Sequence, residues 1–396
     1  MVQESNSAPP PASSPAALEL PLWKRLLFGF VMATIPTVVT IGAAEFALRR
    51  FAPDLAGEPI TSNQYNFYRY DALLGWSNAP GARGVFTRPE FSYDLNINSL
   101  GLRGAEITRE KPAGVRRIAV LGDSFVWGIG ASDEELFTTQ LEKKIPNSQV
   151  LNFGVAGYGT VQYHLLTEQV LSLNPDAVVV GFCLGSDFTD SVFWRRYNYY
   201  KPYAKIDVND ELVIDGYPLP NVKRFPSRYD SGFLGWLHDR SYLFRLVNKH
   251  ALGLVGRLEY FGQKGPADFE ENQGDIYLNP DKPSVKEVIR INARLLEKLV
   301  AAYSARGIPV IVLAVPTACE FGNCFGVGKR TDAANKALKQ AVGTLPVAYI
   351  DPTDNFTLAD FWSRDGHWRL SGHNKIVSAL EPEVAAALKR KTGAGK

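Results

Sequence analysis

RRIAVLGDSFVWGIG, residues 116–130, sets an unbroken apolar run against a glycine and two small polar residues. A run of this length without alternation reads as a strand buried on both faces, and the Gly-Asp-Ser that ends it reads as a tight turn into a helix. Four more runs repeat the pattern: SQVLNFG at 148–154, DAVVVGFCL at 176–184, IPVIVLAV at 308–315 and PVAYID at 346–351. Helical stretches lie between them. Ser132 and Glu135 are spaced as a capping box ahead of LFTTQLEKKI. Ser284 and Glu287 are spaced as another, ahead of apolar residues at 288, 291, 295, 299 and 303, with Gly307 closing the stretch. Strands alternating with helices need right-handed crossovers. The expected fold is doubly wound, flavodoxin-like α/β: a five-stranded parallel sheet with helices on both faces, preceded by one transmembrane helix.

That helix is expected from residues 26–44, LLFGFVMATIPTVVTIGAA, which carry no charge between Lys24-Arg25 and Glu45 and are long enough to cross a hydrocarbon core. A cleaved signal peptide is the alternative, since Gly42-Ala43-Ala44 resembles a small-residue cleavage site. Two basic residues flank the run on each side, so charge does not fix its orientation. Cys319 and Cys324 could close a small disulfide loop, which favours an extracytoplasmic domain, whereas Cys183 sits in an apolar run. Residues 1–22, rich in Pro, Ala and Ser, read as a disordered tail, 23–50 as the anchor and 51–114 as an irregular segment packed on the domain at 115–390. Within that domain, 188–283 reads as an insertion, with a hairpin at AKIDVNDELVIDG turning at Asn209-Asp210 and an amphipathic pair around 233–257. The 43 Lys and Arg against 41 Asp and Glu show no basic bias, so nucleic acid is not an expected partner.

In an open parallel sheet, ligands bind outside the carboxyl ends of the strands. Ser124 follows the first strand, where its hydroxyl can meet a neighbouring imidazole. The glycine-rich Asn152–Gly159 follows the second and can bring backbone N–H groups to an oxyanion. Gly185-Ser186-Asp187 follows the third, and Asp365-Gly366-His367-Trp368 comes after the fifth. In an extended loop, residues two apart point the same way, so Asp365 can accept from one nitrogen of His367 and leave the other to act as a base. Each piece is weak alone. Their order, at successive strand ends of one sheet, points to a hydrolytic or acyl-transfer site.

These residues resemble the SGNH, or GDSL-type, esterase and lipase family, in particular a bacterial branch with one N-terminal membrane span. The resemblance extends over roughly 40–385 and rests on AEFALRR, LGW at 74–76, NINSLGLRG at 96–104, RRIAVLGDSFVWGIG, LNFGVAGYGT and DGHWRLSGH. It implies Ser124 as nucleophile, with its own N–H and that of Gly157 in the oxyanion hole, and Asp365 with His367 completing a triad. The anchor and the extracytoplasmic location favoured by the cysteine pair point to an O-acetyl or other short acyl ester on an envelope carbohydrate or lipid as substrate, with the domain expected on the periplasmic side of the inner membrane. The sequence departs from the family pattern twice. Ser186 stands where the family has an asparagine whose amide donates to the oxyanion, and loss of one such donor costs about 3 kcal/mol in the transition state. Asp-x-His replaces the commoner Asp-x-x-His, as in relatives acting on acylated polysaccharides. The expected reaction is ester hydrolysis through an acyl-serine intermediate, with the Ser186 hydroxyl as a candidate third oxyanion donor; acyl transfer by the same triad, or a degenerate domain that binds glycan or a partner without turnover, is the alternative.

Gly181-Phe182-Cys183-Leu184-Gly185 matches a nucleophile elbow with cysteine as the attacking group, although Cys183 lies inside an apolar strand. Gly122, Gly128 and Gly130 lack the spacing of a phosphate loop. His164, His238, His250 and His373 lack metal-ligand spacing and read as surface or capping residues; no metal or cofactor is expected. The aromatic run Phe193–Tyr203 reads as packing between insertion and core, with a pocket lining as the alternative. The terminal KRKTGAGK reads as a solvated tail.

Overall fold

The structure is a computed structural model that describes residues 21–52, 55, 67–88, 90–196, 199–220, 233–247, 274–324 and 328–393. Residues 1–20 of the tail expected at 1–22 lie outside them, as do His250 and the second half of the expected amphipathic pair.

Four strands precede the sheet: β1 (Tyr68–Asp71), β2 (Gly75–Asn78), β3 (Arg83–Arg88) and β4 (Phe91–Asn96). They form two antiparallel hairpins, β1 with β2 and β3 with β4. Within the segment 51–114 expected to be irregular, the residues between Tyr68 and Asn96 thus form two hairpins. Their strands are only four to six residues long and mix Arg, Asp and Tyr, so no apolar run announces them. On β4 the alternation is real but brief: Tyr93 and Leu95 are buried, and Ser92 and Asp94 are exposed.

The five expected buried strands all form: β5 (Arg116–Gly122), β6 (Ser148–Gly154), β7 (Ala177–Cys183), β8 (Val310–Val315) and β9 (Val347–Ile350). They pair in parallel in the order β9-β8-β7-β5-β6, the flavodoxin-like arrangement in which the strand order reverses between β5 and β7. Successive residues supply opposite faces. Ala119 and Leu121 of β5 join Val178 and Val180 of β7 and Val310 and Val312 of β8 in one core, which the helix Pro283–Ser304 covers through Val288, Ile291, Leu295, Leu299 and Tyr303. Ile118 and Val120 join Val179, Ile311 and Leu313 in the other, covered by the helices Phe137–Lys144 and Leu370–Gly393. Alternate residues of an unbroken apolar run therefore serve two cores.

Neither capping box caps its helix. Glu135 accepts hydrogen bonds from the Ser132 N–H (2.9 Å) and hydroxyl (2.8 Å), but this pair closes a turn, and the helix begins at Phe137. The other helix starts at Pro283, whose missing N–H costs nothing in the first turn, and Glu287 pairs with Arg290. In the insertion, Tyr203–Ile206 and Leu212–Asp215 form the expected hairpin, with Asp210 at φ +63° in its turn. The C-terminal helix runs to Gly393, so most of the expected tail is helical. Cys319 and Cys324 are joined as a disulfide.

A separate compact unit contains the helix Leu22–Phe51 and residues 240–247. The helix is long and apolar enough to cross a membrane, and none of its side chains is buried. Near its end, Glu45 accepts from the N–H groups of Tyr242 and Leu243 (2.9 Å each) and from the Ser241 hydroxyl (2.9 Å). A carboxylate there satisfies donors that the first turn of the helical stretch at 242–247 leaves unpaired.

His373 is fully buried and uses Nδ1 to accept the N–H of Phe137 (3.2 Å), the first residue of its helix. This is a capping role. Burial, with the nearby Arg103 and His367, pushes its pKa down to about 3. In the unfolded chain the imidazole takes up its proton near pH 6.5, while the native protein resists until about pH 3. Stability is therefore lost as pH falls through that window, by up to about 1.4 kcal/mol per pH unit. His373→Asn should remove this contribution, so that denaturant midpoints at pH 7 and pH 5 differ less in the variant than in the parent.

Candidate active site

At the end of β5 the chain turns back on itself. A Cβ on Gly122 would lie 2.1 Å from a methyl of Val126, so only glycine lets the next helical turn, Ser124–Trp127, fold against the strand. Asp123 caps that turn by accepting from the Phe125 N–H (2.9 Å). Four residues cannot hold a helix by themselves. Neighbouring segments supply the support. Gly154 at the end of β6 lets the turn lie flat, since a Cβ there would come within 2.2 Å of the Trp127 nitrogen. Asn152 donates to the Val126 carbonyl (2.8 Å). Arg103, buried under Trp127, donates to the carbonyls of Trp127, Gly128 and Ala131 at 2.8, 2.6 and 2.6 Å.

Ser124, 7% exposed, opens this turn. Its Oγ is 2.8 Å from His367 Nε2, and His367 Nδ1 is 2.5 Å from Asp365 Oδ1. With Nδ1–H donating to the carboxylate, Nε2 is left to accept the serine proton. The segment bearing Asp365 and His367 is a tight turn, not the extended loop expected. Trp362 and His367 bond across its base (2.8 Å), Gly366 donates back to Trp362 (2.9 Å), and Gly366 has φ +82°. Trp368, buried beside it, donates to the Pro316 carbonyl (2.9 Å). Burial alone would raise the Asp365 pKa; the facing imidazole and Arg88, whose Nε is 3.9 Å from Oδ2, outweigh it and hold the carboxyl below its ordinary value.

Ser186 lies at the end of β7, and its hydroxyl donates to Oδ2 of Asp123 at 3.4 Å; the Ser124 oxygen lies 3.4 Å from the same Oδ2, its one hydrogen being directed to the nearer His367 Nε2. Gly157, at φ +78°, lies in the loop after β6, which is tied to the sheet by Val155 N–H donating to the Gly122 carbonyl (3.1 Å). Among the described residues, none accepts from the N–H of Ser124 or of Gly157. Ser124, His367 and Asp365 thus form one hydrogen-bonded chain at the reversal point of the sheet, with Ser186 beside it. Cys183 is buried within β7, where burial pushes its thiol pKa well up, so it is a poor candidate nucleophile.

Two residues that sequence reasoning did not single out support the site. Arg103 lies within NINSLGLRG, but nothing in its spacing marks it as buried. Lys201 has no exposed surface and donates to the carbonyls of Gly157 (3.3 Å) and Asp190 (2.7 Å). Burial outweighs the nearby carboxylates and lowers its pKa to about 8. Its only signal in the sequence is a cation inside an aromatic run. Among the described residues of that run, Tyr199 packs on Trp76 and Tyr200 on Trp194, with centroids 5.6 and 5.3 Å apart.

No protein-family model matches the chain, and no curated protein matches it. Solved structures do resemble it at low identity. A GDSL-like lipase from Bacteroides thetaiotaomicron is 11% identical, with 69% of this chain and 89% of that one covered and a TM-score of 0.35. LAE5, an α/β hydrolase enzyme from the metagenome of Lake Arreo, is 15% identical over 71% and 98%, with a TM-score of 0.36. A catalytic mutant of Axe2, an acetylxylan esterase from Geobacillus stearothermophilus, is 12% identical over 68% and 94%, also at 0.36.

The geometry makes Asp365→Asn informative. An asparagine amide facing Nδ1 favours the wrong tautomer and puts a hydrogen on Nε2, where it opposes the serine proton. Labelling of Ser124 by a fluorophosphonate should slow by on the order of 10³-fold or more, as read by gel fluorescence against time.

Proposed function

We propose that the chain is a serine esterase of the SGNH, or GDSL, type that hydrolyses a short acyl ester, such as O-acetyl, on an envelope carbohydrate or lipid. The observation that carries this reading is the hydrogen-bonded chain Ser124–His367–Asp365. As Ser124 Oγ attacks the ester carbonyl, its proton passes to His367 Nε2, and the imidazolium is held by Asp365. The tetrahedral oxyanion is received by the N–H groups of Ser124 and Gly157, with the Ser186 hydroxyl as a third donor. His367 then protonates the leaving alcohol, leaving an acyl-serine. Water, deprotonated by the same imidazole, releases the acid and restores the hydroxyl. The apolar helix Leu22–Phe51 supports attachment to a membrane, and the Cys319–Cys324 pair favours an oxidising side of it, in keeping with a periplasmic substrate.

Ser124→Ala should abolish hydrolysis of p-nitrophenyl acetate by the full chain in detergent, lowering kcat by on the order of 10³-fold or more; turnover at the parental rate would sink the proposal. Ser186→Asn tests the third donor. An amide that reaches the oxyanion should raise kcat by on the order of tenfold or more, with KM nearly unchanged.

A further inference from the structure

Glu90 stands in the turn between β3 and β4, 275 positions before Asp365. Its carboxylate takes four hydrogen bonds from one short stretch of chain. One oxygen accepts from the N–H (3.0 Å) and hydroxyl (2.8 Å) of Ser363, and the other from the N–H groups of Arg364 and Asp365 (2.8 Å each). Burial alone would raise its pKa; these bonds outweigh it and lower the pKa, which keeps the carboxylate ionised as an acceptor. Two more contacts come from the same hairpin. The Phe91 ring packs on Trp362 at 5.2 Å, and Arg88 faces the outer oxygen of Asp365 at 3.9 Å.

The stretch held in this way carries the Asp365–His367 pair. Three successive peptide N–H groups converging on one carboxylate fix the peptide planes that carry them, and Asp365 is the last of the three. Its side chain therefore departs from a fixed backbone, and His367 follows two residues later across Gly366. The tight turn has its own bonds between Trp362, Gly366 and His367, but these set only its internal shape. How the turn sits relative to Ser124 depends on what grips it from outside.

We propose that Glu90 is a positioning residue for the Asp365–His367 pair, so that the β3–β4 hairpin tip is part of the working site. This rests on the reading of His367 as the base for Ser124. A displaced turn moves Nε2 away from the serine oxygen, and small displacements of reacting groups are costly in rate.

The test uses full-length protein in detergent, p-nitrophenyl acetate as substrate and a fluorophosphonate to count competent serines. Glu90→Gln keeps the size but turns N–H donors toward the loop. It should lower kcat per titrated serine by on the order of tenfold, with KM within about twofold. Glu90→Asp, which keeps the carboxylate, should recover part of that loss. A purely structural role predicts fewer titratable serines at unchanged kcat per serine, and that result, or parental kcat in Glu90→Gln, overturns the proposal. Should Glu90→Gln not fold, Ser363→Ala, which deletes only the hydroxyl bond, carries the same test: a drop in kcat per serine of about twofold or more supports the proposal and a parental value overturns it. Ser124→Ala is run in parallel. If it retains turnover, the esterase reading has failed; if it is dead while Glu90→Gln is unaffected, only the role of Glu90 has.

Discussion

The 2.8 Å contact between Ser124 Oγ and His367 Nε2 joins residues 243 positions apart, and the rest of the site depends on it. A single hydrogen bond of this kind contributes about 1 kcal/mol net, far less than the cost of ordering the chain between its ends. The bond is thus a product of the fold and cannot be its cause. The work is done by five strands whose alternate residues enter two cores, so that a one-residue slip in β5 would exchange its buried sets and turn Ser124 away from His367.

Both partners in that contact sit on structures too small to stand alone. Ser124 opens one helical turn, and Asp365 and His367 occupy a short hairpin-like turn. Each is held from outside by polar groups drawn from the hairpin region ahead of the sheet. Arg103 takes three carbonyls around the first, and Glu90 takes four donors from the second. The division is physical. Apolar burial fixes the sheet but is non-directional, whereas charged side chains that bond several peptide groups at once fix orientation.

This division also explains what could be read in the sequence. Apolar runs report burial directly, so β5 to β9 and the covering face of Pro283–Ser304 emerged from pattern alone. The motif residues Ser124, at the end of β5, and Asp365 with His367, in the connection between β9 and the last helix, stood where the topology brings them together. The capping boxes misled because a Ser-x-x-Glu spacing fits a turn as well as a helix start: at Ser132 it closes a turn, and at Ser284 a proline one residue earlier already begins the helix. Glu90 had no signature, and the β3–β4 hairpin and Lys201 only faint ones, since a charged residue looks the same in sequence whether solvated or bonded to four groups. Such residues are recognised by their partners, which are distant in the chain.

Ser186 was legible as a departure from a family pattern, and the structure gives the departure a physical content. Its hydroxyl has one hydrogen, and Oδ2 of Asp123 takes it at 3.4 Å, the same oxygen that Ser124 approaches at 3.4 Å. A hydroxyl donating there cannot at the same time donate to an oxyanion. Asp123 is itself buried, and burial raises its pKa, so it gains from every donor it keeps. The hydroxyl must therefore leave one acceptor to serve another during the reaction, whereas the N–H groups of Ser124 and Gly157 need no such exchange. Stabilisation that is already oriented costs no reorganisation when charge develops. On the esterase reading, those two backbone groups carry the oxyanion, and the side chain at 186 sets how far catalysis exceeds what they alone provide.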